Sequence, residues 1–249
     1  MPEGIDITIV IPAKDEALRL PPFLETVITY CSQSPRLYEI IVVDDGSTDS
    51  TAQKVLSFQK SFPGLILLSL GRNHGKGYAV KQGLLAANGA IALFMDADGS
   101  TGALEIDKNL KFFQEGYDIV IGSRVLSGSN VEAKPMRRLM GAIFNFLVSS
   151  LLFKGIKDTQ CGFKMFRKDV IRPLWEKVET PGFGFDLEVL FLAQQMGYHI
   201  KEAPVTWTHV DNSKIHLVKD SCRMVGNIFE IRKRHTKRDC FVAERRSSQ

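Results

Sequence analysis

Two aspartates separated by one residue, Asp96 and Asp98, directly follow the apolar run 90–95. Carboxylates spaced in this way at the end of a strand suit a hard divalent cation, which takes oxygen ligands and keeps water or a substrate phosphate in the rest of its shell. A turn rich in aspartate would bring the same residues together for hydrogen bonding alone. Because other acidic residues follow other predicted strands, we favour a metal site.

A second acidic cluster, 44–49, follows the apolar run 39–43. Asp45 could accept hydrogen bonds from a uracil or guanine N–H or from a ribose hydroxyl. Ser47, Thr48 and Asp49 could instead cap the helix that is predicted to follow. The segment is therefore predicted to combine a ligand-binding aspartate with a helix cap.

A Gly-Lys-Gly turn at 75–77 precedes a further predicted helix. Backbone N–H groups at a helix N-terminus are suited to binding phosphate. The turn has neither the complete P-loop pattern nor the dinucleotide-binding fingerprint, and a tight turn that happens to contain a lysine would look the same. Both interpretations stay open at this point.

Predicted strands and helices alternate along the first half of the chain. Strands are predicted at 5–11, 39–43, 65–70, 90–95 and 118–122, with helices at 21–31, 50–62, 76–88 and 106–115 between them. This order implies an α/β fold with a mostly parallel, Rossmann-like sheet flanked by helices. Ligands of open α/β sheets bind outside the carboxyl ends of the strands, so the polar clusters at 15–16, 44–45, 96–98 and 123–124 should converge on one site.

The second half follows a different pattern, with helices predicted at 139–153, 184–196 and 219–234 and strands at 162–166 and 201–208. The apolar stretch 139–153 is shorter than the roughly 20 residues that span a bilayer. Basic residues at both of its ends, Arg137, Arg138 and Lys154, suit a helix that lies in a membrane interface. A core helix or a dimer-interface helix would have the same composition.

Composition and charge exclude several classes of protein. The chain has 249 residues, of which 44% are hydrophobic and 24% charged, as in an ordinary globular protein. Its four cysteines have no metal-binding spacing, and its short polar N-terminus does not resemble a signal peptide, so reduced thiols in the cytoplasm are expected. The net charge of +4 lies in the segment from Lys219 onward, where nine Lys/Arg oppose four Asp/Glu. This distribution argues against nucleic-acid binding and favours a basic tail that faces phosphates or an anionic membrane.

Five segments, in this order, resemble family 2 glycosyltransferases of the GT-A fold. They are VIPAKDE at 10–16, VVDDGSTDST at 42–51, GKG at 75–77, DADG at 96–99 and GSR at 122–124. Two more, DTQCGFK at 158–164 and FDLE at 185–188, resemble the polyprenyl-phosphate branch. Within that branch the sequence is most similar to the dolichyl-phosphate β-glucosyltransferases, with the mannose synthases as close cousins.

The resemblance implies a role for each matching residue. The nucleotide sugar would be bound by Pro12, Ala13, Lys14, Glu16, Asp45, Gly75, Lys76, Asp96 and Ala97. Mg²⁺ or Mn²⁺ would be held by Asp98, with Asp96 and Ser100 as further candidates. The catalytic group would include Asp98. Three cations would face the diphosphate or the lipid phosphate: Arg124, Arg138 and Lys214. Three further residues would position the sugar or the acceptor loop: Asp158, Gln160 and Asp186. Lys14 departs from the family, where tyrosine is common.

The implied reaction moves a sugar from UDP-glucose or GDP-mannose to a polyprenyl phosphate. A phosphate monoester is largely anionic at pH 7, so the acceptor needs no general base. Direct displacement would invert the anomeric centre and give a β-linked product. The implied organisation is a single GT-A domain at 1–235, with a donor and metal half at 5–124, an acceptor half at 125–235 that contains an interfacial helix at 137–154, and a polar tail at 236–249.

The expected location is cytoplasmic and peripheral, on the cytosolic face of a membrane, with a membrane protein or a second copy of the chain as a further candidate partner. Three alternatives stay open. A sugar nucleotidyltransferase would carry a Gly-rich loop directly after the first strand, where this chain has the segment 12–16. An inactive membrane-bound nucleotide-binding module and a family 2 transferase with a soluble acceptor are the other two.

Overall fold

The main element of the computed structural model is a seven-stranded sheet; the structure describes residues 4–132, 155–208 and 230–235. The strands of this sheet are β1 Ile7–Ala13, β2 Tyr38–Asp44, β3 Leu65–Ser69, β4 Ile91–Met95, β5 Ile119–Ser123, β7 Phe163–Arg167 and β8 Ile200–Pro204. They lie in the order β3-β2-β1-β4-β7-β5-β8. A separate parallel pair joins β6 Asn130–Glu132 to β9 Thr206–Thr208.

Helices cover both faces of the sheet. They are α1 Leu20–Gln33, α2 Thr51–Phe58, α3 Lys76–Ala86, α4 Leu104–Gln114, α5 Lys168–Trp175 and α6 Phe185–Gln195, and residues 230–235 are also helical. Every residue of β1 and β2 is buried, as is usual for parallel strands that are covered on both sides. Successive residues point to opposite faces, so that Ile9 packs in one core cluster and Val10 in the other.

The predicted α/β architecture is confirmed, with one strand reversed. β7 lies between β4 and β5 and is antiparallel to both, whereas the other pairings of this sheet are parallel. The apolar pattern of a buried strand is the same in either direction, so the sequence predicted the strand but not its orientation. The reversal leaves the carboxyl ends of β1, β2, β4 and β5 at one edge.

Three local features differ from the predicted elements. Helix α5 was not predicted, because Pro173 lies inside it and lacks the N–H that a helix interior uses. The predicted strand 201–208 is divided at Val205, whose N–H bonds to the Ser123 carbonyl. Its second part pairs with β6, which is too short to show a pattern of its own.

Several predictions lie outside the described residues. These are the interfacial helix 137–154, most of the helix 219–234, the tail 236–249, and two candidate cations, Arg138 and Lys214. Among the residues that are described, no helix combines the length and the apolar character needed to cross a bilayer.

Candidate active site

The loops that follow β1 and β2 are locked together at the carboxyl edge of the sheet. Asp15 has a positive φ of 51°, and its Oδ1 accepts a hydrogen bond from the Thr48 backbone N–H at 2.7 Å. Its own N–H donates to Ser47 Oγ at 2.9 Å, and Lys14 Nζ lies 3.2 Å from its Oδ2. The bond from the Thr48 backbone is the main reason that the pKa of Asp15 falls to about 2. Lys14, a predicted donor-binding residue, therefore also holds this loop.

The buried carboxylate of Asp45 joins the end of β2 to the Gly-Lys-Gly turn. Its Oδ1 accepts from the His74 N–H at 2.7 Å and its Oδ2 from the Gly75 N–H at 2.8 Å. Gly75 has φ 101°, and a Cβ there would lie 2.5 Å from the Pro181 carbonyl oxygen, so only glycine fits. In this structure Asp45 shapes the turn, which is a role that the sequence did not predict for it.

Lys76, the first residue of α3, reaches the acidic pair at the end of β4. Its Nζ lies 2.6 Å from Asp96 Oδ1, an oxygen that is buried and makes no hydrogen bond of regular geometry beyond this ion pair. Burial acts to lower the pKa of Lys76, but the carboxylates of Asp96 and Asp186 outweigh it and raise that pKa. The structure thus unites two motifs, 75–77 and 96–98, that lie far apart in the sequence.

The backbone of Gly162 lies directly against the Asp96 carboxylate. A Cβ at this position would lie 2.2 Å from Asp96 Oδ2, and the Asp96 N–H donates to the Gly162 carbonyl at 3.2 Å. Any larger residue would have to displace the carboxylate. Gly162, which belongs to the resembling segment 158–164, is therefore a further residue that shapes the site.

Asp98 lies in the turn after Asp96 and is half-buried. Its Oδ1 accepts from the Ser100 N–H at 3.0 Å, and the Ser100 carbonyl accepts from the Thr208 N–H at 2.9 Å, so β9 supports the turn. Ser100, a predicted metal ligand, thus holds the turn through its backbone.

The donor set at the end of β4 fits Mg²⁺ or Mn²⁺ bound together with a substrate. Asp96 and Asp98 supply carboxylate oxygens, which these hard cations prefer, and leave most of the coordination shell to water and to a substrate phosphate. Within the described ranges, no cluster of three or more His, Cys, Asp or Glu side chains would enclose a metal on its own.

Arg19 is a cation of the site that sequence reasoning missed. Its Nε lies 2.7 Å from Glu16 Oε2 and its Nη2 lies 2.5 Å from Glu16 Oε1. Arg19 therefore forms a bidentate ion pair with a buried carboxylate. This hydrogen bonding is the main cause of the raised pKa of Arg19, and the charges of Asp98 and Asp96 add to it. The acid-base pair at i, i+3 was the available signal.

Arg124, at the end of β5, is held by the buried Asp158. Its Nε and Nη2 donate to Asp158 at 2.8 and 2.9 Å, and its backbone N–H donates to the same carboxylate at 2.9 Å. Burial acts to raise the pKa of Asp158, but the Arg124 charge outweighs it and keeps the pKa low. The Asp158 N–H donates in turn to Glu202 on β8 at 2.7 Å, and the Gln160 N–H donates to Asp158. Arg124, a predicted phosphate contact, thus commits two side-chain N–H groups to Asp158.

Asp186 on α6 forms a buried ion pair with Lys164 on β7. The two charged atoms are 2.5 Å apart, and Lys164, which has no exposed surface, also donates to the Cys161 carbonyl at 2.8 Å. Burial raises the pKa of Asp186 despite the opposing charges of Lys164 and Lys76. Lys164 therefore pairs with Asp186 as Lys76 pairs with Asp96, and the charges of Asp186 and Lys76 also act on each other.

These features define a class of protein. A mostly parallel α/β sheet carries paired aspartates, a lysine turn and two acidic loops at one edge, as in nucleotide-dependent transferases of the GT-A type. Residues 8–175 match the family described as Glycosyl transferase family 2, and the chain belongs to this family. The prediction of a glycosyltransferase is thereby confirmed.

The most similar relatives include three proteins that share one name, dolichyl-phosphate beta-glucosyltransferase. The protein of Dictyostelium discoideum is 37% identical over 247 residues, which cover 94% of this chain and 76% of the relative. The protein of Saccharomyces cerevisiae is 33% identical, with 92% and 75% covered. The protein of Homo sapiens is 31% identical, with 84% and 69% covered.

Solved structures confirm the fold. Glucosyl-3-phosphoglycerate synthase from Mycobacterium tuberculosis, in complex with Mn²⁺, uridine diphosphate and glucosyl-3-phosphoglycerate, superimposes with a TM-score of 0.68 at 19% identity, covering 92% of this chain and 80% of that one. The same enzyme in complex with Mg²⁺ and uridine diphosphate gives 0.67 at 18% identity, with 92% and 79% covered. At this identity the likeness establishes the architecture and no more.

Proposed function

We propose that the protein transfers glucose from UDP-glucose to dolichyl phosphate or a related polyprenyl phosphate and inverts the anomeric centre. The observation that carries the proposal is the contact between Lys76 and Asp96, beside Asp98, at the carboxyl edge of the sheet. Lys76 thus contacts one of the two carboxylates that we propose as metal ligands, in a chain whose relatives carry the name dolichyl-phosphate beta-glucosyltransferase.

On the donor side, Asp98 and Asp96 would hold Mg²⁺ or Mn²⁺. The bound metal would supply positive charge to the leaving nucleoside diphosphate. Lys76 contacts Asp96 directly, and the charge of Arg19 also acts on both carboxylates. Lys76, whose ammonium group lies 2.6 Å from Asp96 Oδ1, would face the diphosphate beside the metal ligands. Fixed charges of this kind stabilise the charge that develops as the glycosidic bond breaks.

On the acceptor side, the protein has to bring two anions together. The phosphate monoester is largely ionised at pH 7 and attacks without a general base. Arg124 would face it with a guanidinium whose orientation Asp158 fixes. Arg138 and Lys214 are proposed as further cations, on the strength of the resemblance of their segments. Attack opposite the leaving diphosphate converts an α-linked donor to a β-linked product.

We further propose that the chain acts as one GT-A unit, with its donor half at 5–124 and its acceptor half at 125–235. The lipid acceptor implies contact with a membrane surface. We propose the cytosolic face of the membrane for that contact.

The direct test offers the full chain a short polyprenyl phosphate, Mg²⁺ and a panel that contains UDP-glucose, other UDP-sugars and GDP-mannose. We expect acceptor-dependent release of UDP from UDP-glucose above all other donors, and its loss when EDTA removes the metal. Release of GDP from GDP-mannose alone would overturn the choice of sugar. The absence of turnover with every donor would overturn the proposal.

A further inference from the structure

A buried carboxylate on α6 links a distant helical segment to a loop. Glu188 has no exposed surface, and its Oε2 accepts from the backbone N–H groups of Glu179 and Thr180 at 2.9 and 2.6 Å. Its Oε1 lies 3.0 Å from Arg234 Nη1 and 2.7 Å from His235 Nε2. One carboxylate therefore ties residues 234–235 to the loop at 179–184.

The same loop packs against the first turn of α3. The Pro181 carbonyl accepts from the Tyr78 N–H at 3.2 Å. A Cβ at Gly75 would lie 2.5 Å from the Pro181 carbonyl oxygen, and one at Gly77 would lie 2.5 Å from that of Thr180. The two glycines allow the loop at 179–184 to lie in direct contact with the turn at 75–77. A displacement of the loop would therefore move the turn as well.

Lys76 lies between these two glycines and reaches Asp96. Its ammonium group is 2.6 Å from Asp96 Oδ1 and 5.8 Å from the centre of the Phe183 ring, which the same loop provides. The contacts therefore run without interruption from the segment 230–235, through Glu188 and the loop at 179–184, to the lysine beside the acidic pair.

The charges explain why this link is sensitive to the segment 230–235. A buried carboxylate is tolerated only with cations or N–H donors around it, and the loss of one partner leaves an uncompensated charge. Arg234 also lies 3.5 Å from Glu179 and 3.5 Å from Thr180 Oγ1, so it holds the loop at two points. Without these partners, Glu188 would draw in water or turn away, and the backbone at 179–180 would lose its anchor.

We propose that Arg234 and His235 are positioning residues for donor binding, which set the place of Lys76 through Glu188 and the loop at 179–184. Neither residue lies in the donor site. The inference rests on the proposed function, in which Lys76 faces the donor diphosphate.

The kinetic test uses Arg234→Gln and His235→Ala in the full chain. We expect the KM for UDP-glucose to rise about tenfold while the KM for the polyprenyl phosphate is unchanged, since the loss of a hydrogen bond to a buried charge is of that size. His235→Gln, which keeps an N–H donor, should recover most of the affinity. Lys233→Gln is the matched control, because this exposed cation lies on the same segment.

A second measurement does not depend on turnover. Hydrogen exchange of the ligand-free protein should become faster at 76–80 and 179–184 in Arg234→Gln and His235→Ala and stay unchanged in β2. If the wild-type chain transfers no sugar, the proposed function fails, and the exchange data still decide whether Arg234 and His235 hold the loop. Equal rises in both KM values, or faster exchange throughout the chain, would reduce the two residues to a general structural role and overturn the inference. Should either variant fail to fold, Arg234→Lys, which keeps the charge but loses the planar guanidinium, and His235→Asn, whose side chain is shorter, replace it; a smaller rise confined to the KM for UDP-glucose supports the inference, and no rise in that KM overturns it.

Discussion

At the scale of single residues, the site depends on where each charge is neutralised. Asp96 is paired with Lys76, whereas Asp98 receives a backbone N–H and stays half-buried. Of the two carboxylates, Asp98 is therefore the one that no protein cation contacts directly among the described side chains. It is the residue on which we expect metal-dependent turnover to depend most.

Replacement of Asp98 by Asn should reduce kcat/KM for UDP-glucose at least about a hundredfold, because an amide is a poor ligand for a hard cation. The thermal midpoint should change little, since the amide oxygen can still accept the Ser100 N–H. The control is Asp107→Asn, an exposed carboxylate on α4 that pairs with Arg36. Full activity of Asp98→Asn would remove this residue from the metal site.

The buried ion pair of Asp158 and Arg124 predicts a particular pH dependence of stability. Pairing lowers the pKa of Asp158, so its contribution is complete above the unfolded value of about 3.9 and is lost as the pH falls through the folded value. Asp158→Asn should lower the free energy of unfolding at pH 7 by about 3 kcal/mol. The deficit should begin to shrink as the pH falls below about 3.9, where the Asp158 carboxyl of the unfolded wild-type chain takes up a proton while that of the folded chain stays ionised.

Urea denaturation at several pH values measures this difference. The exposed pair of Arg36 and Asp107 provides the comparison, because Asp107→Asn should cost less than about 1 kcal/mol at every pH. A deficit for Asp158→Asn that stays constant down to pH 3 would contradict the assignment of a lowered pKa to that carboxyl.

At the scale of elements, α3 delivers the Gly-Lys-Gly turn to the site and is seated closely on the sheet. A Cβ at Gly83 would lie 2.3 Å from Cγ1 of Val10 on β1 and 2.8 Å from Cγ2 of Val43 on β2. The helix can approach the sheet this closely only because position 83 carries no side chain. The place of Lys76 thus depends on a glycine two turns away.

Gly83→Ala should destabilise the protein by about 1–3 kcal/mol through overpacking, although alanine favours helices. Val10→Ala removes the methyl group that obstructs the new Cβ. The loss of unfolding free energy in the double variant should therefore be smaller than the sum of the losses in the two single variants. Urea denaturation of the four proteins gives the coupling energy. Additive effects would show that α3 does not meet β1 at this point. Gly102→Ala, with no atom within 4 Å of its added Cβ, is the neutral control.

At the scale of the whole molecule, the charge is divided between a near-neutral body and a basic C-terminal segment. In the proposed function, the body would use its acidic side chains for the metal and the donor and its cations for the two phosphates. The excess of Lys and Arg lies from residue 219 onward. If the acceptor is a lipid, as proposed, the protein would meet a membrane surface, and we propose that the basic segment provides the attraction to it.

Flotation with anionic liposomes tests this assignment. We expect the wild-type chain to float at low salt and to be released as salt rises, because exposed charges are screened. A variant with Gln at Lys237, Arg238, Arg245 and Arg246 should bind at least about tenfold more weakly, since each charge near the surface contributes about 1 kcal/mol. A wild-type chain that stays in the soluble fraction at low salt would contradict the peripheral-membrane assignment.

Much of the architecture could be predicted from the sequence, because burial on both faces leaves continuous apolar runs and a strand ends where polar residues begin. The acidic pair was recognisable for the same reason, since Asp96 and Asp98 directly follow such a run. The antiparallel direction of β7 could not be predicted, because a short apolar pattern is the same in either direction. The helix around Pro173 could not be predicted, because proline normally interrupts a helix.

The sequence by itself determined the order of the strands along the chain, the family and the candidate chemistry at the strand ends. Only the tertiary structure decided which charges neutralise one another. Lys164 and Asp186 are 22 residues apart, and Arg124 and Asp158 are 34 apart. No local pattern relates such partners, because a buried ion pair depends on distance and desolvation in three dimensions. For the same reason, the sequence did not predict the contact of Lys76 with Asp96. Nor did it predict that Arg234 and His235 contact Glu188, which holds the loop at 179–184.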